Sequence, residues 1–528
     1  MLFSLFLYTL TYYKGTDEFG TIAGASILAG LDWREAISGC SYYGFGYSVL
    51  MTPVLFLFSN PYIVFHLLYG YNAVCLAFSA IICHYFLDYV FKIDGRILKI
   101  VISLTATTFI GNWAASNSII NDTPLILCIW LTVLFLVQCV NKTESNQPIK
   151  LISFLFSLFL AYGITIHTRI IYFWGGVFVF IFIYWLLRKK CIMNIPISII
   201  TFIGCYILFN GLIEVVQNNY WLPLDGQVLT NSVESLGNSF QNFIKVFTLN
   251  GFGAAVSTII GQLFGMMSLS GGIFIFFPIW CVSIISDILL MLFKKEENNI
   301  EKVLYLSLSI MVIAIVIVII LTTSLGALGS TSEIFYWNGV SKWYLYERYW
   351  GICAGLMTML MAVRAMKYRE KISWLKIGGA GIGLYASISV VFLAFIAPKF
   401  EGIINNDSYV YYLYTPFCFR KYTDIIMPFD FVYLFAFILV LFFIVLFLLF
   451  KKKFLAVFCI LLVFNIYSYS YVTINMHNPM SKGLYEEYED ISNVIYNDLL
   501  LTPETTEIYC DGNAWFNNGL QFTLSRFS

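Results

Sequence analysis

The feature that most constrains this chain is the length of its uncharged apolar runs. Phe431 to Phe450, reading FVYLFAFILVLFFIVLFLLF, continues for 20 residues without a charge. A membrane-spanning helix needs about 20 apolar residues, whereas a barrel strand needs about 10 in alternation. The run therefore specifies helices in a bilayer. The rest of the chain agrees: 60% of its 528 residues are hydrophobic and only 11% charged. With a mean hydropathy of +0.81 it carries more apolar surface than one water-soluble core hides. The formal net charge is +0 and no basic block interleaves with aromatics, which excludes nucleic acid as a partner.

Spans are expected at 2–13, 62–90, 100–116, 123–140, 151–167, 171–187, 194–213, 272–293, 303–323, 350–366, 377–396, 430–450 and 454–471. The expected fold is thus an all-α polytopic membrane protein with about 13 transmembrane helices. Leu2 to Tyr13 is short for a span and lacks a cationic start or cleavage site. Phe45 to Phe58, with Gly46 and Pro53, reads as a helix at the interface. Gly251 to Leu269 reads as re-entrant or interfacial. Residues 1–471 form the membrane domain with an outer first loop at 14–44, and 472–528 follow as a small outer α/β segment. In that segment Gly483 to Leu501 is amphipathic, and Ile508 to Cys510 and Leu520 to Leu524 read as strands.

Of the 30 lysines and arginines, 19 fall in alternate breaks, around Lys92, Lys142, Arg188, Lys294, Arg364 and Lys451. By the positive-inside rule those breaks face the cytoplasm. The amino terminus is then cytoplasmic, the carboxyl terminus extracytoplasmic, and the protein sits multi-pass in a cell membrane, read as bacterial. This orientation gathers the polar chemistry on the outer side: Asp17 and Glu18, the Asn121-Asp122-Thr123-Pro124 break, His167 and Arg169, and loops 214–250, 324–349 and 398–426. Charges beside a bilayer are costly unless they face water or a partner, so they mark function.

Most of the 12 cysteines lie in apolar runs, no CxxC pair occurs, and the four histidines lack ligand spacing. No metal site is signalled, and use of a divalent metal is left open. A transporter or flippase of lipid-linked saccharide is the competing class. It needs ionisable residues along a path through the membrane, whereas here the spans carry few away from their ends.

Three motifs in order, Asp17-Glu18 after the first span, Asn121-Asp122-Thr123-Pro124-Leu125 opening a later one, and Arg348-Tyr349 opening a late one, carry a resemblance. The chain resembles the GT-C superfamily of membrane glycosyltransferases, in particular the protein O-mannosyltransferase and aminoarabinose transferase group. The aromatic-Pro-Pro segment common after the first loop stands here as Tyr42-Tyr43-Gly44-Phe45-Gly46-Tyr47. The resemblance implies transfer of a sugar from a polyprenyl-phosphate donor to a glycan, lipid or protein acceptor at the outer face. That chemistry needs a base for the acceptor hydroxyl, and Asp17 is the first candidate, with Glu18 orienting it or holding the acceptor. It also needs cations for the departing phosphate, and an arginine fork binds two oxygens. Arg348 is the first candidate and Arg169 the second. Asp122 reads either as a plain helix N-cap or as a carboxylate facing the site as well. Trp33, Tyr42, Tyr43, Trp337, Trp343 and Tyr344 read as an interfacial aromatic belt, with stacking on a sugar face as the alternative.

Overall fold

The computed structural model describes residues 16–31, 44–58, 60–116, 118–220, 244–294, 299–329, 348–368, 374–396 and 453–472, with isolated residues elsewhere. Among them every regular element is helical. In chain order they are α1 (Thr16–Leu28), α2 (Gly46–Leu57), α3 (Pro61–Tyr85), α4 (Arg96–Thr107), α5 (Ile110–Ser116), α6 (Asp122–Glu144), α7 (Lys150–Ile166) and α8 (Ile170–Arg188). Then follow α9 (Ile195–Tyr220), α10 (Leu249–Leu269), α11 (Phe277–Lys294), α12 (Ile300–Gly329), α13 (Arg348–Gly351), α14 (Ala354–Lys367), α15 (Trp374–Val391) and α16 (Phe454–Val472). This is an all-α polytopic membrane protein. Among the described residues nine helical segments are long and apolar enough to cross a bilayer, and three shorter apolar helices accompany them. The expected first span and the outer segment after 472, with its two strands, lie outside the described residues, as does most of 430–450.

Local chemistry accounts for where the helices begin and bend. Asn60 accepts the Ile63 amide at 3.3 Å ahead of Pro61, so an Asx cap and a first-turn proline start α3 together. The expected span 100–116 is broken in two, because Ser103, Thr105, Thr107 and Thr108 each return a hydroxyl to the carbonyl four residues back. Such back-bonding bends helices, and this one ends at Thr107 and resumes at Ile110. The expected outer loops at 214–250 and 324–349 start later than read, since α9 runs on to Tyr220 and α12 to Gly329. At the end of α9 the polar residues Glu214, Gln217, Asn218 and Asn219 lie beyond the apolar core and keep the helical conformation, about which hydropathy is silent.

α12 is the central helix, buried along most of its apolar stretch and packed against α8, α10, α11 and α14. Gly176 lets α8 approach it closely, for a Cβ there would lie 2.3 Å from Ile315. At the lysine-bearing end, acidic residues tie neighbouring elements. Asp88 pairs with Lys99, Asp287 with Arg364, and Glu301 with Lys367, while Glu144 accepts from Arg188 at 2.9 Å and Lys190 at 2.7 Å. α10 runs along α15: Phe264 stacks on Phe392, the residue after α15, at 4.7 Å, and Ser268 meets the Tyr385 hydroxyl of α15 at 2.8 Å. There the chain turns through Gly271 and Gly272, both at positive φ, into a short 3-10 turn and α11. By length and composition α10 is a candidate span, which its glycines did not suggest.

Candidate active site

The site is built where α1, α5, α6, the α7–α8 turn and α13 meet. Asp122 is the first residue of α6, with Pro124 in the first turn. The capping reading is corrected here: Asn121 occupies the cap position without a side-chain cap bond, and its amide instead donates to the Ile166 carbonyl at 2.7 Å. That bond ties the start of α6 to the end of α7. Asp122 faces the turn after α7 and pairs with Arg169, with side chains only 3% and 4% exposed.

Burying both charges removes their hydration, and the pair endures because each partner compensates the other. Arg169 is held on further sides as well. Its Nε lies 3.2 Å from His167 Nε2, its backbone amide 3.1 Å from His167 Nδ1, and its guanidinium carbon 5.2 Å from the centre of the Tyr349 ring. A guanidinium over an aromatic face gains a cation–π attraction of about 1 kcal/mol or more when desolvated.

Glu18, buried in α1, accepts the Ile119 amide at 2.8 Å, three residues ahead of Asp122. The same segment is anchored from α3, since Asn72 donates to the Ser116 and Ser118 carbonyls at 3.2 and 2.9 Å and accepts the Tyr47 hydroxyl at 2.7 Å. The first loop closes onto α7 through glycine. Gly44 has φ +113, and a Cβ there would stand 2.2 Å from the Thr165 carbonyl oxygen, so no other residue fits. Tyr162 then donates to the Gly46 carbonyl at 2.7 Å.

Of the sequence candidates, the structure brings Glu18, Asp122 and Arg169 to one place. Arg348 opens α13, whose next residue is the Tyr349 that meets Arg169 and whose Trp350 packs on Phe109 and Phe274. Asp17 lies in α1 beside Glu18. The side chains of Asp17 and Arg348 lie outside the described residues. Trp33 and Tyr42 depart from the belt reading: Trp33 is buried and stacked on Phe19 at 5.1 Å, and Tyr42 is buried in the same cluster. Asn72 was missed, and so was the contact of Tyr349 with Arg169, because the partners lie from 25 to 180 residues away and leave no local pattern. Among the described residues no group of three or more His, Cys, Asp or Glu side chains is placed to hold a metal. An apolar cavity of about 120 Å³ lies elsewhere, lined by α11, α14 and α16 side chains including Trp280, Tyr368 and Phe458.

No protein-family model matches the sequence, and no curated protein matches it. Solved structures do. ArnT from Cupriavidus metallidurans bound to undecaprenyl phosphate superposes with a TM-score of 0.51 over 99% of this chain and 83% of its own, at 11% identity. The chain has the ArnT fold. The apo form of ArnT gives a TM-score of 0.47 at 12% identity, over 99% of this chain and 82% of that one. At such identity the likeness to ArnT is one of architecture alone.

Proposed function

We propose that this protein is a glycosyltransferase that moves a sugar from a polyprenyl-phosphate donor to a hydroxyl acceptor, a cell-envelope glycan, lipid or protein, at the outer face of the membrane. The observation that carries the reading is the convergence of Glu18 with the buried Asp122–Arg169 pair, from separate helices, in an ArnT-like fold. ArnT itself is seen with undecaprenyl phosphate.

In this reading the acceptor oxygen attacks the anomeric carbon, the bond from that carbon to the phosphate oxygen breaks, and polyprenyl phosphate leaves with the bonding electrons. The acceptor proton passes to Asp17, beside which Glu18 is fixed by its bond to the Ile119 amide. Arg348 and Arg169 stabilise the charge that grows on the phosphate. Asp122 serves as the partner that orients Arg169 rather than as a second base. Holding a cation in place before the reaction removes the cost of reorganising it in the transition state.

The test is product formation. Purified protein in lipid nanodiscs, given a labelled polyprenyl-phosphate sugar and an extract of envelope acceptors, should release polyprenyl phosphate and transfer the label in equal amounts. Binding of the donor with no cleavage under any acceptor would contradict the reading.

A further inference from the structure

His167 ends α7 with an extended backbone, φ −162 and ψ 140, while its amide still donates to the Gly163 carbonyl at 3.0 Å. This geometry folds the buried imidazole back over the turn that carries Arg169. Both ring nitrogens meet Arg169, Nδ1 its backbone amide and Nε2 its side-chain Nε, at 3.1 and 3.2 Å, and Nδ1 also lies 3.5 Å from the Thr168 hydroxyl. A neutral imidazole has one lone-pair nitrogen, so it accepts from one of these donors at a time. A protonated ring has no lone pair and would set a second cation against the guanidinium.

Arg169 meets Asp122 through Nη2. A hold at Nε, the neighbouring donor on the same edge, together with the Tyr349 ring against its face, fixes the plane of the fork. For a group that meets phosphate through two parallel donors, the plane is what matters.

The geometry points to His167 as a positioning residue that fixes the plane of Arg169 toward the donor phosphate, an inference that rests on the glycosyltransferase reading above. The imidazole touches no reacting atom; it acts through Arg169.

Three substitutions separate this role from packing. His167→Gln keeps an acceptor close to the place of Nε2, His167→Asn keeps one close to Nδ1 that serves only the backbone amide, and His167→Phe keeps the ring without an acceptor. Undecaprenyl phosphate titrated into the full-length protein in nanodiscs is the probe, with donor KM, kcat and melting temperature measured on the same samples. His167→Phe and His167→Asn should weaken binding and raise KM about tenfold, the effect of one charge-assisted hydrogen bond, with a smaller change in kcat. His167→Gln should return binding to within about twofold of wild type.

Recovery by asparagine but not glutamine would make the ring a backbone cap and overturn the inference. So would losses that follow melting temperature alone across the three variants, or binding by His167→Phe equal to wild type. A wild-type protein that fails to bind undecaprenyl phosphate would remove the glycosyltransferase reading and this inference together. Normal wild-type binding with an unaffected phenylalanine variant would remove only the inference.

Discussion

Arg169 and Asp122 show what one buried pair demands of its neighbours. Removing either partner leaves the other charged and desolvated, which costs about 3–5 kcal/mol. Asp122→Asn and Arg169→Met should therefore each lower the melting temperature in detergent sharply, and the double variant should lose less than the sum of the two. Additive losses would mean that the pair is not coupled. Asp17 carries a different expectation. Asp17→Asn keeps shape and hydrogen bonding but accepts no proton, so transfer should fall about 10²-fold or more while undecaprenyl phosphate still binds. Near-normal turnover would shift the base to Glu18. Arg348→Lys keeps charge but loses the fork, so its donor KM should rise measurably, and Arg348→Ala should lose about 1.5–3 kcal/mol of binding. Equal kinetics for wild type and the lysine variant would leave Arg169 as the cation for the phosphate.

At this scale the sequence was legible where chemistry is rare. A carboxylate or guanidinium beside apolar runs stands out, so Glu18, Asp122 and Arg169 were visible one by one. That Asp122 meets Arg169, and that Asn121 binds Ile166 instead of capping, depends on tertiary approach between helices separated by a full hairpin. No local signal encodes it.

Elements were legible wherever hydropathy alone decides them. The long spans α3, α6, α8, α12 and α16 sit where apolar run length put them. Breaks inside an apolar run were not, because the threonine back-bonds that end α4 leave mean hydropathy almost unchanged. Helix ends that extend past the apolar core, as in α9, are invisible for the opposite reason. The docking of the first loop was hidden too, since Gly44 read as a loop residue and Gly46 as part of an interfacial helix, and the close approach to Thr165 is tertiary. That approach gives a sharp comparison. Gly30 and Gly44 both have positive φ, but only at Gly44 does a Cβ meet backbone; at Gly30 nothing lies within 4 Å. Both alanine variants carry backbone strain of about 1–3 kcal/mol, and Gly44→Ala adds a clash with the Thr165 carbonyl. Its melting temperature should fall clearly below that of Gly30→Ala. Equal losses would show that the loop does not dock on α7.

Across the whole molecule the two ends are built differently. The lysine-bearing end is laced by Asp88–Lys99, Glu144–Arg188, Asp287–Arg364 and Glu301–Lys367, ion pairs that hold neighbouring elements. The other end gathers Glu18, His167, Arg169, Asp122 and the Arg348-Tyr349 turn, carried on segments that leave and re-enter the bundle. An asymmetry of this kind suits chemistry at one face, and among the described residues the ion pairs cluster at the two ends. The measurement that tests this most directly places a labelled polyprenyl-phosphate sugar in the outer leaflet alone of sealed vesicles holding the protein with its lysine-bearing end inside, and follows both the fate of the sugar–phosphate bond and the leaflet of the lipid. The account predicts that wild type cleaves the donor in the outer leaflet, that the Asp17→Asn variant leaves it intact, and that in neither case does the intact donor cross. Intact donor appearing in the inner leaflet without cleavage would contradict a transferase and make the protein a carrier of lipid-linked sugar.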